Sequence, residues 1–214
     1  MRNKHIRLCT LKILLIPRKI KQIFFIKLYT FVFYLLGIKF GKNLRIYNKI
    51  YLAIHHNSHL EIGNNFTFTN GSAFNPISRN IKGCIHTQKG ASIYIGDNVG
   101  ISSCCLWAKE NITIGNNVKI GSDTIIMDTD AHNLDHKIRN SEMVNEKGES
   151  IDGLTAASAP IIIKEGVLIG TRCIILKGVT IGKNSIIGSG SIVTKSIPDN
   201  CIAAGNPCKI IKEI

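Results

Sequence analysis

The sequence predicts an all-β protein built as a parallel β-helix, because it combines a strict six-residue period, an aliphatic first position and turn residues beside it. Six consecutive hexapeptides, residues 163–198, read IKEGVL, IGTRCI, ILKGVT, IGKNSI, IGSGSI and VTKSIP. A period of six fits neither a helix nor an alternating strand, and repeats of this kind form stacked coils. Each hexapeptide supplies one short strand and one turn, so three of them complete a triangular coil.

The first residue of each hexapeptide is Ile or Val and is predicted to point into the coil. There it stacks on its equivalents above and below, at an inter-strand spacing of about 4.8 Å. The fifth residue is small or branched: Val167, Cys173, Val179, Ser185, Ser191 and Ile197. Neighbouring Gly, Asn and Asp residues permit tight corners, several of which need a positive φ.

The same repeat runs upstream from about residue 95, and weaker copies begin near residue 40. The predicted organisation is a basic apolar helical segment at 1–39, a β-helix at 40–204 with one excursion at about 131–159, and a C-terminal tail at 205–214. The excursion has little periodicity, and long departures from a regular scaffold are usually functional or disordered.

The net charge of +13 is concentrated near the N-terminus. Residues 1–49 hold twelve Lys or Arg and no acidic residue, while the rest of the chain is nearly neutral, which argues against a nucleic-acid-binding body. The apolar stretch 20–36 is interrupted by Lys21 and Lys27, is too charged for a confident membrane span, and lacks a signal-peptide cleavage site. Three interpretations stay open: a basic amphipathic helix on the anionic inner face of the plasma membrane, a helix that packs on the coil or a neighbouring subunit, or a true membrane span.

The seven cysteines show no CxxC spacing and do not form a disulfide framework. Cys105 and Cys173 fall at the fifth hexapeptide place, where small buried residues belong. Reduced thiols used as core residues fit a cytoplasmic protein, and the sequence offers no ligand spacing for zinc, so no metal is expected.

His132 is the leading catalytic candidate. Counting in sixes from Ile114 leads to His132, which stands where the next inward aliphatic residue belongs, and the repeat stops there. An imidazole at the point where a rigid scaffold ends is well placed to act as a general base. Of the preceding Asp128 and Asp130, one is predicted to hold the imidazole through Nδ1 and the other to cap the turn. Alternatively, all three are simply polar turn or loop residues.

Much of the chain resembles the hexapeptide-repeat acyltransferases, most closely the branch with maltose and galactoside O-acetyltransferases and the O-acetyltransferases of bacterial surface polysaccharides. The resemblance covers roughly residues 93–214 and is carried by ITIGNNVKIGSDTIIMDTDAH and VTIGKNSIIGSGSIVTKSIPDNCIAAGNPCKII. It implies a left-handed parallel β-helix, a homotrimer with active sites between subunits, and acetyl-CoA as donor. His132 matches the catalytic histidine of that family.

The resemblance also implies where the donor binds. The matching positions are Thr171, Ser189, Gly190 and Thr194, together with basic side chains at the nucleotide phosphates, Lys195, Lys209 and Lys212. For the oxyanion of the tetrahedral intermediate, a backbone N–H or Ser102 or Ser103 on an adjacent coil is a candidate substrate-binding group.

These features together predict an acetyl-CoA-dependent O-acetyltransferase that acts on a sugar hydroxyl in surface polysaccharide synthesis, by direct transfer with His132 as base. The basic N-terminus favours a glycan acceptor met at the membrane face. Two alternatives remain open at this point: an amino-sugar N-acetyltransferase, which would share donor and base, and a non-enzymatic β-helix scaffold.

Overall fold

The chain folds into triangular coils whose three sides form three sheets. The computed structural model describes residues 2–72, 74–79 and 81–214, with backbone alone for residues 2–15. Met1 and the side chains of residues 2–15, which belong to the predicted segment 1–39, lie outside the described residues. From β1 to β18 every pairing between coils is parallel, and successive strands of the chain enter the three sheets in turn.

The strands are short, because each occupies only one side of a triangle. The first sheet contains β1 (Lys39–Phe40), β4 (His59–Ile62), β7 (Ser92–Ile95), β10 (Asn111–Ile114), β13 (Ile161–Ile163) and β16 (Thr180–Ile181). The second contains β2 (Arg45–Tyr47), β5 (Thr67–Thr69), β8 (Gly100–Ser102), β11 (Lys119–Ile120), β14 (Leu168–Ile169), β17 (Ile186–Ile187), β19 (Cys201–Ala204) and β20 (Lys209–Glu213). The third contains β3 (Tyr51–Ile54), β6 (Cys84–Thr87), β9 (Cys105–Ala108), β12 (Ile125–Met127), β15 (Ile174–Ile175) and β18 (Ile192–Val193).

The inward positions of the hexapeptides form the core. The first residues of the six units are all buried: Ile163, Ile169, Ile175, Ile181, Ile187 and Val193. Equivalent residues are register partners in adjacent coils, as Ile163 is with Ile181 and Ile169 is with Ile187. The fifth-position residues are buried as well. The hexapeptide period therefore produces one continuous apolar column along the coil axis.

The corner after the first sheet is held by a ladder of amide side chains. Asn43, Asn65, Asn98 and Asn117 each have a φ near +60°, and each donates from its side-chain amide to the next coil. Asparagine tolerates this left-handed conformation better than most residues. The turn residues of the repeat thus also link successive coils.

The helix α1 spans Arg2–Leu35 and covers the first coil. Phe33 and Tyr29 are buried against the coil, and the Tyr29 hydroxyl accepts a hydrogen bond from the Ile50 amide at 2.8 Å. Gly37, with a φ of 66°, ends the helix and turns the chain into β1. In the described part of the chain, no helix has the length and apolar character needed to cross a bilayer.

The C-terminal residues form a strand. Sequence reasoning assigned residues 205–214 to a tail, whereas β20 pairs antiparallel with β19. The repeat pattern ends before this point, so the periodicity contained no sign of the strand. β20 covers the last edge of the second sheet, an edge that would otherwise present unpaired backbone groups.

The vicinal cysteines differ from their predicted placement. Cys173 is buried as expected, but Cys105 is only half-buried, and Cys104 takes the inward position. Ser103, with a φ of 37°, turns the chain at this corner. Among the described residues, no group of three or more His, Cys, Asp or Glu side chains is arranged to hold a metal ion.

Substituting Gly182→Ala is expected to destabilise the fold. An added Cβ would lie 2.3 Å from the Asp199 amide nitrogen in the next coil, so backbone would have to shift. Overpacking of this kind typically costs about 1–3 kcal/mol. Gly153→Ala is the matched control, since a Cβ there meets nothing within 4 Å. Urea unfolding of both variants tests the expectation, and equal stability of the two would contradict it.

Candidate active site

His132 stands at the corner between the third and first sheets, where the excursion leaves the coil after β12. Its imidazole is about two-thirds exposed, with a side-chain accessibility of 68%. The excursion folds locally into two short helices, α2 (His136–Arg139) and α3 (Ile151–Thr155), before the chain returns in β13. The imidazole is therefore presented to solvent from a fixed corner of the coil.

Asp152, in the first turn of α3, is the partner of His132. Its Oδ2 lies 2.6 Å from His132 Nδ1, and its Oδ1 accepts from the Asn133 amide at 2.6 Å. The hydrogen bonds from His132 and the Asn133 amide lower the pKa of Asp152, so the carboxylate is ionised at neutral pH. An ionised carboxylate only accepts, so Nδ1 carries a proton, and in the neutral imidazole Nε2 is then the nitrogen with the free lone pair.

This arrangement corrects the predicted roles of Asp128 and Asp130. Asp128 is fully buried and accepts from the backbone amides of Lys109 and Glu110, at 2.7 and 2.8 Å. Asp130 pairs with Lys177 Nζ at 2.6 Å. Asp128 thus binds the preceding coil and Asp130 binds the following coil. The His132 imidazole is instead bound by Asp152 of the excursion.

Lys109 connects the coil to α3. Its ammonium donates to the carbonyls of Gly153, Leu154 and Ala156, at 2.8, 3.0 and 2.6 Å. These carbonyls lie at the C-terminal end of α3, where cations interact favourably with helix backbone. Burial lowers the pKa of Lys109, and the nearby Asp128 carboxylate opposes that shift. Asp128 and Lys109 therefore fix the short helix that carries Asp152.

A groove of about 400 Å³ runs along the outer face of the second sheet, across β5, β8, β11 and β14. Ser102, Thr171 and Ser189 line it, so the structure brings together one predicted substrate residue and two predicted donor residues. The Ser189 hydroxyl accepts from the Thr171 amide at 3.1 Å, which joins two coils at the groove wall. Lys119 and Leu168 also line it, and neither is among the predicted donor residues.

Ser103 is not available to a substrate. It is buried, its hydroxyl donates to Asn70 Oδ1 at 3.0 Å, and it accepts from the Gly71 amide at 3.1 Å. The predicted oxyanion role is therefore wrong for this residue, because its side chain is used within the corner. Ser102 remains accessible at the groove.

The other predicted donor residues lie at exposed positions on two sides of the coil. Gly190 lies at the corner after β17, next to Ser189. Thr194 and Lys195 follow β18 at the same corner column as His132, two coils further along. Lys209 and Lys212 are exposed on β20, the last strand of the second sheet. A single chain thus places His132 and the groove on different sides of the prism.

Part of the coil matches a known family of repeats. The family described as bacterial transferase hexapeptide (six repeats) matches residues 160–195. This stretch of the chain therefore carries the six-residue repeat of that family.

The sequence is also similar to galactoside O-acetyltransferases. It is 39% identical over 132 residues to the enzyme of Escherichia coli K12, covering 61% of this chain and 58% of that one. It is 39% identical over 105 residues to the enzyme of Lactococcus lactis, covering 49% and 44%. The chain therefore spans about half the length of these relatives.

A solved structure supports the fold. An N-acyltransferase from Bacillus cereus, in complex with dTDP-4-amino-4,6-dideoxyglucose and coenzyme A, aligns with a TM-score of 0.64 at 23% identity. The alignment covers 86% of this chain and 88% of that chain. The predicted left-handed parallel β-helix is confirmed, an exception to the right-handed rule for parallel crossovers.

The His132–Asp152 contact predicts a measurable titration. In wild-type protein the Asp152 carboxyl should titrate below its ordinary range, and in His132→Ala its pKa should rise, because the largest cause of the shift is removed. Carboxyl-carbon NMR against pH measures both. His136→Ala, which alters another exposed histidine of the excursion, is the control and should leave Asp152 unchanged. An unshifted Asp152 in wild type would contradict the contact.

Proposed function

We propose that this protein transfers the acetyl group of acetyl-CoA to a sugar hydroxyl during surface polysaccharide synthesis, at the cytoplasmic face of the plasma membrane. The observation that carries the proposal is the exposed His132 imidazole, held by Asp152 so that Nε2 is free to accept a proton. Similarity to galactoside O-acetyltransferases supports a hydroxyl as the acceptor.

The chemistry follows from the assigned proton positions. His132 Nε2 takes the proton of the acceptor hydroxyl as its oxygen attacks the thioester carbonyl. The tetrahedral intermediate collapses with cleavage of the C–S bond, and the imidazolium returns the proton to the departing CoA sulfur. Asp152 stabilises the transient imidazolium through Nδ1–H and keeps its own negative charge. No covalent acyl-enzyme is needed.

The groove on the second sheet is the proposed binding site of the extended pantetheine arm. Its walls are formed by rigid coils, so a bound thioester would be held in one orientation, and positioning of this kind contributes strongly to catalysis. Thr171 and Ser189 supply polar groups along it. The exposed Lys195, Lys209 and Lys212 are the proposed partners of the nucleotide phosphates, which attract cations.

A homotrimer would complete the site. Within one chain, His132 lies at the corner between the third and first sheets, whereas the groove lies on the second sheet. Cyclic symmetry brings unlike sides of a prism together at each interface. We therefore propose that His132 of one subunit faces the groove of its neighbour, which gives three equivalent sites.

Replacing His132 by Ala is expected to lower turnover at least ~100-fold, the low end of the contribution of a general base. The assay follows free CoA thiol in the presence of mono- and oligosaccharides and amino sugars. His136→Ala is the matched control and should keep wild-type activity. Near-normal turnover of folded His132→Ala would overturn the role of the base.

The same assay distinguishes oxygen from nitrogen acceptors. An acetyl ester is released by mild alkali, while an amide resists it, so alkali treatment of the labelled product identifies the acetylated atom. An alkali-resistant product formed only from amino sugars would favour the N-acetyltransferase alternative. Absence of CoA binding would overturn the enzymatic proposal altogether.

Mixed trimers test the shared site. A groove variant, Ser189→Trp, should lose activity because its side chain would fill the pantetheine groove, while its His132 remains intact. When this variant and His132→Ala are refolded together, some interfaces combine the intact His132 of a Ser189→Trp subunit with the intact groove of a His132→Ala subunit. Activity should therefore reappear in the mixture although both parents are inactive. No recovery in mixed trimers of confirmed composition would place both groups in one chain's own site.

A further inference from the structure

The helix α1 has two apolar faces, and only one of them contacts the coil. The inner face includes Phe25, Tyr29 and Phe33, which pack on the first coil. The outer face exposes large apolar side chains, and six of them are here called the outer stripe: Ile16, Ile20, Ile23, Phe24, Phe31 and Leu35. Phe24 and Phe31 are 59% and 60% exposed, so the outer stripe is uncovered in the single chain.

The members of the outer stripe recur at helical spacing. Steps of four, three, seven and eight residues keep side chains on one side of a helix, at 3.6 residues per turn. The stripe therefore follows one side of the helix over more than five turns rather than being a set of scattered residues. A helix that is apolar on both sides is normally covered on both, and contiguous exposed apolar patches mark interaction sites.

The charge around the outer stripe identifies what covers it. Lys19 and Lys21 lie on either flank, and Lys27 lies within it, all three exposed. No acidic residue precedes Glu61 in the sequence. A second copy of α1 would bring like charges together, whereas anionic lipid headgroups complement them. A lysine inside an apolar stripe suits a bilayer surface, because its stem lies along the acyl region while its ammonium reaches the headgroups.

We propose that the outer stripe is a membrane-docking surface, which lies in the interface of a bilayer rich in anionic phospholipid while the inner face stays on the coil. The helix thus contributes one face to the protein and one to lipid, with lysines at the boundary. This arrangement is that of an interfacial helix, whose binding combines apolar burial with electrostatic attraction. The proposal does not depend on acetyl transfer, since α1 and His132 belong to separate parts of the fold.

Vesicle flotation of the full-length protein tests the proposal. The protein should float with phosphatidylcholine vesicles that contain phosphatidylglycerol, less with phosphatidylcholine alone, and less at high salt. Phe24→Ser combined with Phe31→Ser should weaken binding at least ~10-fold, because two exposed aromatic side chains leave the bilayer. Each of Lys19→Gln, Lys21→Gln and Lys27→Gln should weaken it about 5-fold.

Controls separate lipid binding from loss of structure or assembly. Leu134→Ser alters a more exposed apolar residue, which lies on the excursion, and should float like wild type. Circular dichroism melting and light scattering monitor the fold and the oligomeric mass. Absence of flotation with any vesicle, or flotation unaffected by the phenylalanine substitutions, would overturn the proposal. A reduced oligomeric mass of the phenylalanine variant without lipid would show that the stripe joins copies of the chain, which would also overturn it.

Discussion

Equivalent side chains of successive coils stack on one another along a single apolar column, and each exposed feature of the protein is positioned by that stacking. A shift of one residue in any strand would turn an inward aliphatic side chain outward, so the register is strongly fixed. The amide ladder at the first corner adds hydrogen bonds with the same spacing. The outward-facing residues can therefore differ from coil to coil and form a groove, an excursion or a helix contact, while the backbone beneath them stays regular.

The candidate site is held through a chain of contacts that crosses from the coil to the excursion. Asp128 fixes the backbone at Lys109, Lys109 binds the end of α3, and α3 presents Asp152 to His132. The base is thus supported by groups that never touch it, apart from Asp152. The excursion can therefore hold the imidazole in a defined position, because these contacts connect it to the rigid coil.

The sequence allowed the coil, the excursion and the position of His132 to be predicted, since each of them either keeps the six-residue period or interrupts it. Asp152 could not be predicted in this way, because it lies within the aperiodic excursion; its only signal was an acidic residue after Ser150 at a helix start. Asp128 and Asp130 were misassigned because they are close to His132 along the chain. In a β-helix the spatial neighbours of a residue are mostly one coil away, as Lys109 is from Asp128.

The coil also acts as a spacer of fixed pitch between α1 and His132. Three inter-strand steps separate the first coil from the fourth, about 14 Å at the usual strand spacing. Adding a single hexapeptide between them would carry His132 to a different side of the prism, whereas adding three would raise it by one step, about 4.8 Å, without rotation. The distance between α1 and His132 along the coil axis can therefore change only by whole coils, if His132 is to stay on the same side of the prism.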